Sequence, residues 1–403
     1  MRICDVNNFY SPTGGGVRVY HERKLEYFAE RPQHAYALLV PGEREAVRRV
    51  GHALVYELPA RPIGGAGYRV ITSRRALARV FRDFAPDLIE IGSPYLLPWL
   101  VPAALGGRDV ATVGFVHADY PGTYVEPALA RLPALAALAG GLARRHMGLI
   151  YRRMSATFGA SEHVLRRLGA LGLDRLFHTP LGVETERFRP SRRSQATRAR
   201  LGVAQGDQLI LFIGRLSAEK GVDLLLAASP QIVGARRRLV IAGHGPQRAR
   251  VAAVSAANPD AITLHEGPLS RDEVAELIAS ADLFLALGAH ETFSLTTLEA
   301  LACGTPVVAP AAGGAAELID RYGGGRTFHP GDSAALAAAI DRALADPRPE
   351  PALAERIAAA HAWPAVFDRI TRFYQTILDA HRARALSRLR APAGWWPADA
   401  SFF

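Results

Sequence analysis

Lysine is nearly absent from this chain. Of 48 basic residues only Lys24 and Lys220 are lysines, and the other 46 are arginines. Cysteine is as scarce, with Cys4 and Cys303 far apart and no C-x-x-C pair. That excludes a disulfide framework and a zinc site of the usual spacing. The N-terminal stretch MRICDVNNFY has no apolar h-region, which argues against a secretory signal. No uninterrupted apolar run reaches the roughly 18 residues that a spanning helix needs. The longest candidate, Leu132 to Ala143, is broken by Pro133, Gly140 and Gly141. The expectation is a cytoplasmic chain that can touch a membrane without crossing it. The metal-binding pattern D-x-D is also missing.

The remaining composition is that of a globular protein. At 403 residues, 49% hydrophobic and 21% charged, the chain is long enough for two domains, each burying its own core. The net charge of +10 is uneven: residues 1–190 carry 25 basic against 17 acidic residues, and the remainder 23 against 21. A basic half suits an anionic membrane surface, a nucleic acid or a phosphorylated substrate, or is simply solvated. The basic clusters are Arg74, Arg75, Arg79 and Arg82, then Arg144, Arg145, Arg152 and Arg153. The apolar segment 132–143 beside the second cluster reads either as a lipid-facing helix or as core. A basic nucleic-acid-binding protein is the alternative of another class: the charge allows it, but no aromatic-studded basic strand or helix–turn–helix pattern is present. A dinucleotide oxidoreductase is weakly supported, since GHGP is followed by Arg248 where G-x-G-x-x-G requires glycine.

Short apolar runs alternate with helical patterns. RICDV, AYALLV, DLIEIG and ATVGFVH read as strands in the first half, and LILFIG, RLVIAG, AITLHEG, DLFLALG and TPVVAP in the second. SRRALARVFRDFA places Leu77, Val80, Phe81 and Phe84 on one helical face. Near-continuous apolar strands separated by helices indicate parallel sheets covered on both faces, hence two doubly wound α/β domains in tandem. The Arg-rich segment 189–203 reads as a linker between them.

Three strand-to-helix loops of the second half carry unusual polar residues. In a doubly wound sheet such loops gather at the carboxyl ends of the strands, where ligands bind. They are GRLSAEKG with Arg215 and Lys220, GHGP with Gly243, and GAHETFSLTTLEALACGTP. In the last, a helix starting near Ser294 offers free backbone N–H groups and a positive partial charge, a ready phosphate site. Ser294 and Thr296 add hydroxyls. Glu291 just before it and Glu299 inside it are not anion-binding groups. Each either hydrogen-bonds neutral hydroxyls or steadies a nearby positive charge, or is merely a dipole-complementing or solvated helix residue. A diphosphate flanked by hydroxyl-rich sugars would satisfy the functional reading, with Arg215 and Lys220 holding the phosphates. Arg presents a broad planar fork and Lys a compact, mobile charge. A loop that sets one charge against a crowded diphosphate beside an existing Arg therefore has reason to use Lys.

GRLSAEKG together with HETFSLTTLEALACGTPVVAPAAGGAAELI resembles the retaining glycosyltransferases of family 4 (GT4), with Glu291 and Glu299 matching that family's E-x7-E pair. PTGGGVRVY, PLGVETERFRP and WPAVFDRITRFYQTIL extend the resemblance over nearly the whole chain. It implies the GT-B fold, two Rossmann-like domains facing across a cleft. Residues 1–190 would bind acceptor and 191–363 the nucleotide sugar. A helix over 364–385 would return to the first domain, ahead of a tail at 386–403. The resemblance implies that Arg215 and Lys220 bind the donor diphosphate, Glu299 the ribose and Glu291 the transferred sugar. Backbone N–H groups around Ser294, Leu295 and Thr296 would hold phosphate. Gly15, Gly16 and Gly243 would allow close backbone approach, and Leu269 would border the base. GFVHADYPGTYVEP, with His117 and Asp119, resembles the acceptor-side loop, and its His-x-Asp-Tyr-Pro run is similar to a subgroup that glycosylates membrane lipids, whose usual second residue is Thr where this chain has Ala118. The implied activity is metal-independent transfer of a hexose from GDP-mannose or UDP-glucose, with retention, to a lipid or glycolipid. A soluble or polysaccharide-precursor acceptor, or nucleotide-sugar binding without turnover, are the alternatives. The expected partners are thus donor, lipid acceptor and an anionic membrane surface, with no nucleic acid, no metal and no other cofactor.

Overall fold

The computed structural model describes residues 1–11, 14–63, 68–234 and 236–390, with the helical backbone alone over 385–390. Pro12 and Thr13 of the Gly-rich loop, and the tail from 391, lie outside the described residues. Two compact units result: Met1–Phe115 with Leu149–Phe158 and the chain from Phe367, and Val116–Gly148 with Gly159–Val366.

The first unit is built on β1 (Arg2–Val6), β2 (Ala35–Gly42), β3 (Ala46–Val50), β4 (Ala53–Ile63), β5 (Tyr68–Ile71), β6 (Leu88–Ile91), β7 (Ala111–Val116) and β8 (Ala156–Gly159). They lie in the order β3-β4-β2-β1-β6-β7-β8, with β5 paired to β4. The pairs β1–β2, β1–β6, β2–β4 and β6–β7 are parallel, and β3 and β5 join β4 antiparallel. All four strands read from the first half of the sequence are present. The helix Arg74–Phe84 buries Leu77, Val80, Phe81 and Phe84 as its apolar spacing requires, and Ser73 caps it by accepting from the Ala76 N–H.

One feature of this core is unusual. Parallel pairing sets Asp5 on β1 beside Glu90 on β6, so two carboxylates lie side by side in a fully buried layer. Lys24, on the helix Gly16–Ala29, enters between them, 2.7 Å from Asp5 and 3.1 Å from Glu90. Its ammonium also donates to the hydroxyls of Tyr374, at 2.6 Å, and Tyr20, at 3.2 Å. The Tyr36 hydroxyl donates to Asp5 and that of Tyr374 to Glu90. Burial opposes the charge of Asp5, but Lys24 and His21 outweigh it and hold its pKa below the ordinary value. Burial, with Asp5 adding to it, pushes the Glu90 pKa up.

In the second unit β9 (Leu176–His178) is followed by β10 (Gln208–Ile213), β11 (Arg237–Ala242), β12 (Ile262–Leu264), β13 (Leu283–Leu285), β14 (Val307–Pro310) and β15 (Gly325–Phe328). The last six form one sheet in the order β12-β11-β10-β13-β14-β15, every neighbour parallel. All five strands read from the second half are in it. Counted along the chain the order is three-two-one-four-five-six, the doubly wound arrangement whose direction of winding reverses between β10 and β13. Ile210, Phe212, Leu239, Ile241, Leu283 and Leu285 bury one face against Leu225, Leu336 and Ile340.

The linker reading of 189–203 is corrected. This segment forms a short 3-10 turn and the helix Gln195–Arg200, packed on the second unit. Arg193 donates to the carbonyls of Ala279, Ser280 and Ala281 and to Asp282, and Arg198, almost fully buried, joins it on Asp282. The two arginines thereby satisfy the carbonyls at the end of the helix Arg271–Ser280, as cations near a helix C-terminus do, and Asp282 anchors both of them.

Candidate active site

The loops that follow β10 and β13 meet where the winding reverses. Backbone bonds fix the first against the loop after β11: Leu216 N–H donates to the His244 carbonyl at 2.8 Å, and Gln247 N–H to the Leu216 carbonyl at 2.9 Å. The approach demands glycine at 243. Its φ is +144°, and a Cβ there would fall 1.9 Å from the Gly214 carbonyl oxygen. The loop after β13 is held from the other side. Gly314 N–H donates to the Glu291 carbonyl at 2.8 Å, and a Cβ on Gly314 would strike the Phe293 backbone.

Lys220 and Glu291 come together at this junction as an ion pair. Of the readings of Glu291 that the sequence leaves open, this geometry matches the one in which it steadies a positive charge. Burial works against the Lys220 ammonium, but Glu291 outweighs it, and the Lys220 pKa is raised. Arg215 is half-buried in the same loop.

The helix Leu295–Ala302 begins where its hydroxyl-rich start suggested, near Ser294. Ser294 is its N-cap, in the left-handed region at φ +71°, which is uncommon for a residue with a side chain. The Ser294 hydroxyl is buried and bonded to that of Thr297 at 2.9 Å, so it is turned into the helix rather than outward as a phosphate donor. The first helical bond runs from Leu298 N–H to the Ser294 carbonyl. The N–H groups of Leu295, Thr296 and Thr297 therefore lie outside the helix's own ladder. Leu295 and Thr296 are half-exposed.

Glu299 is not a solvated helix residue: 3% of it is exposed. Arg271 donates to it at 2.7 Å and also to Glu184, stacking over the Phe188 ring. Burial raises the Glu299 pKa and Arg271 opposes this. Sequence reasoning missed Arg271, which is one arginine among 46. Its only local mark is its place directly after Ser270, whose hydroxyl and Glu273 form a capping box at the start of the helix. Leu269, half-buried, precedes that cap.

His117 and Asp119 fold against the same loop. The Thr292 hydroxyl donates to the His117 carbonyl at 2.8 Å. Asp119 accepts from Arg167 at 2.5 Å and lies 3.7 Å from His290. Burial opposes its charge, but His290 and Arg167 together hold its pKa below the ordinary value. Thr292, Arg167 and His290 were also missed from sequence. Asp119, Arg167, His290, Glu291 and Thr292 line one cavity, with Met147 on its apolar side. Gly15 and Gly16 sit in the first unit, exposed at the start of the helix that follows β1.

Two family models match: "Glycosyltransferase Family 4" over residues 14–187 and "Glycosyl transferases group 1" over residues 193–361. A GDP-mannose-dependent alpha-mannosyltransferase of Mycobacterium tuberculosis is 31% identical, with 94% of this chain and 97% of the relative covered. The chain belongs to glycosyltransferase family 4. A GDP-mannose-dependent alpha-(1-6)-phosphatidylinositol dimannoside mannosyltransferase of the same organism is 34% identical over the whole chain and 94% of its own length. Among solved structures, a sucrose-phosphate synthase from Thermosynechococcus elongatus superposes with a TM-score of 0.75 at 21% identity, covering 94% of this chain and all of its own. That likeness bears on the fold, and with the two Rossmann-like α/β sheets, parallel but for β3 and β5, it gives the GT-B class expected from sequence. As a family 4 hexosyltransferase, the chain has its Arg215–Lys220 loop and its E-x7-E segment at the reversal point of the second sheet. No helix among the described residues is long and apolar enough to cross a membrane.

Proposed function

We propose that this chain transfers mannose from GDP-mannose to a membrane glycolipid with retention at the anomeric carbon, working at the cytoplasmic face of the membrane without a metal. The observation that carries the reading is the ion pair of Lys220 with Glu291 where the winding reverses between β10 and β13, with the helix Leu295–Ala302 starting shortly after Glu291. The developing charge on the leaving diphosphate is the part of such a reaction that electrostatics can stabilise most. Lys220, Arg215 and the helix start supply positive charge there. Glu291 keeps the lysine charged and placed, and contacts the sugar once the diphosphate shares that ammonium. Glu299, held by Arg271, takes the ribose hydroxyls, and Leu269 borders the base. Gly15 and Gly16 give the first domain a bare backbone to set against phosphate.

On the acceptor side His117 and Asp119 orient the sugar and the attacking hydroxyl. The names of the mannosyltransferase relatives, at 31% and 34% identity over nearly the whole chain, support mannose and a phosphoinositide-type glycolipid. Residues 1–190 then serve the acceptor and 191–363 the donor.

The test is a donor panel with a bacterial lipid extract and EDTA present. A mannolipid formed from GDP-mannose, absent with Glu291→Ala, is the expected product. A UDP-glucose product alone would overturn the donor, and a water-soluble product alone would overturn the acceptor. Loss of activity in EDTA, restored by a divalent ion, would overturn metal independence.

A further inference from the structure

The helix Pro133–Arg152 presents leucines to solvent. Leu132, Leu135, Leu138 and Leu142 are between 45 and 61% exposed. At about 100° per residue, Leu135, Leu138, Leu142 and Arg145 fall within an arc of roughly 80°. The opposite side is apolar as well, but it is used: Ala136, Ala143 and Met147 are buried. The segment 132–143 is thus not simply core. It is a helix with a packed face and a second, unpartnered apolar face.

Charge separates the occupants of that face. Residues 127–161 hold five arginines and no aspartate or glutamate. Arg131 and Arg145 are exposed at the two ends of the leucine row. A second copy seated symmetrically would bring this patch against itself, arginine against arginine. An anionic lipid surface instead takes leucines among its acyl chains and arginines among its headgroups. The other basic cluster does not compete. The helix Arg74–Phe84 turns its apolar residues inward, so its arginines have no exposed apolar row beside them.

We infer that the outer face of the helix Pro133–Arg152 docks the protein on an anionic phospholipid bilayer. The inner side of the same helix carries Met147 and Arg144, which line the cavity holding Asp119, His290 and Glu291. Docking through the leucines therefore sets that cavity at headgroup level, where a glycolipid acceptor lies. The inference rests on the lipid-acceptor reading for its purpose and on the exposed leucines for its physics.

Vesicle co-sedimentation without donor or acceptor tests it. The full chain is expected to sediment with phosphatidylglycerol–phosphatidylcholine vesicles and not with phosphatidylcholine alone, and to be released by salt. Combined Leu135→Ser, Leu138→Ser and Leu142→Ser should weaken binding at least tenfold with an unchanged melting temperature. Arg131→Ser with Arg145→Ser should weaken it while removing the preference for anionic vesicles. Failure of the wild type to bind, equal binding by the leucine variant, or a dimer in light scattering that the leucine variant abolishes would overturn the inference. Because no sugar transfer is measured, a chain that docks but transfers nothing defeats the proposed function alone.

Discussion

The two lysines occupy opposite kinds of site, one in each unit. Lys24 is fully buried and saturated: two carboxylates and two tyrosine hydroxyls lie within 3.2 Å of an ammonium that has three protons to give. Lys220 is 36% exposed and meets one carboxylate, that of Glu291. The same side chain is a structural tie where its donors are all spent on the protein, and a candidate ligand group where donors remain. Partner number and exposure thus separate scaffold from site better than residue type does.

Substituting the first lysine gives the largest effect expected. Lys24→Met leaves Asp5 and Glu90 adjacent without the lysine charge between them, and breaking such a buried set costs about 3–5 kcal/mol. Denaturant unfolding should record that loss, while the folded fraction keeps its turnover. A loss no larger than that of a surface substitution would remove the contrast between the lysines.

Arg271→Ala sharpens the comparison within the second unit, where Glu299 is buried but has one cation. The donor KM should rise about tenfold, on the order of 1.4 kcal/mol, with kcat little changed. A fall in kcat at constant KM would place Glu299 with the reacting atoms instead.

The smallest effect concerns Asp119, whose pKa is lower folded than unfolded because His290 and Arg167 outweigh burial. The unfolded chain then binds the proton first as pH falls. The stability that Asp119 contributes is present above its unfolded pKa and is lost as pH drops through the folded value. Thermal melts of wild type and Asp119→Asn should differ at neutral pH and converge in strong acid. A difference that grows on acidification would contradict the pairing.

Much of this was legible in the sequence because it is written in local pattern. The nine strands read there are buried runs bounded by glycine, proline or charge, and Arg215, Lys220, Glu291 and Glu299 stand out by spacing on loops that a doubly wound sheet must bring together. The hairpin strand β3 was not seen, since AVRRV is exposed and carries no apolar alternation of any length; its partner β4, half-buried and alternating, was passed over as well. Residues 189–203 misled because arginine-rich composition looks solvated, whereas Arg193 and Arg198 spend their donors on Asp282 and helix-end carbonyls. Arg271, Arg167, His290 and Thr292 act through partners distant in sequence, so no local signal shows what they touch. The leucines at 132–142 are visible in sequence, but which way they face is a property of packing alone.

In the proposed function Lys220 acts on the departing diphosphate and contributes little to the fold. This role is tested most directly by steady-state mannosyl transfer with Lys220→Ala and Lys220→Arg, beside their melting temperatures. Expected are unchanged melting, a kcat about 10²–10³-fold lower for alanine, as when a charge-stabilising donor is removed, and a substantial loss for arginine. Wild-type turnover by Lys220→Arg would make the lysine incidental, and wild-type turnover by Lys220→Ala would contradict the account.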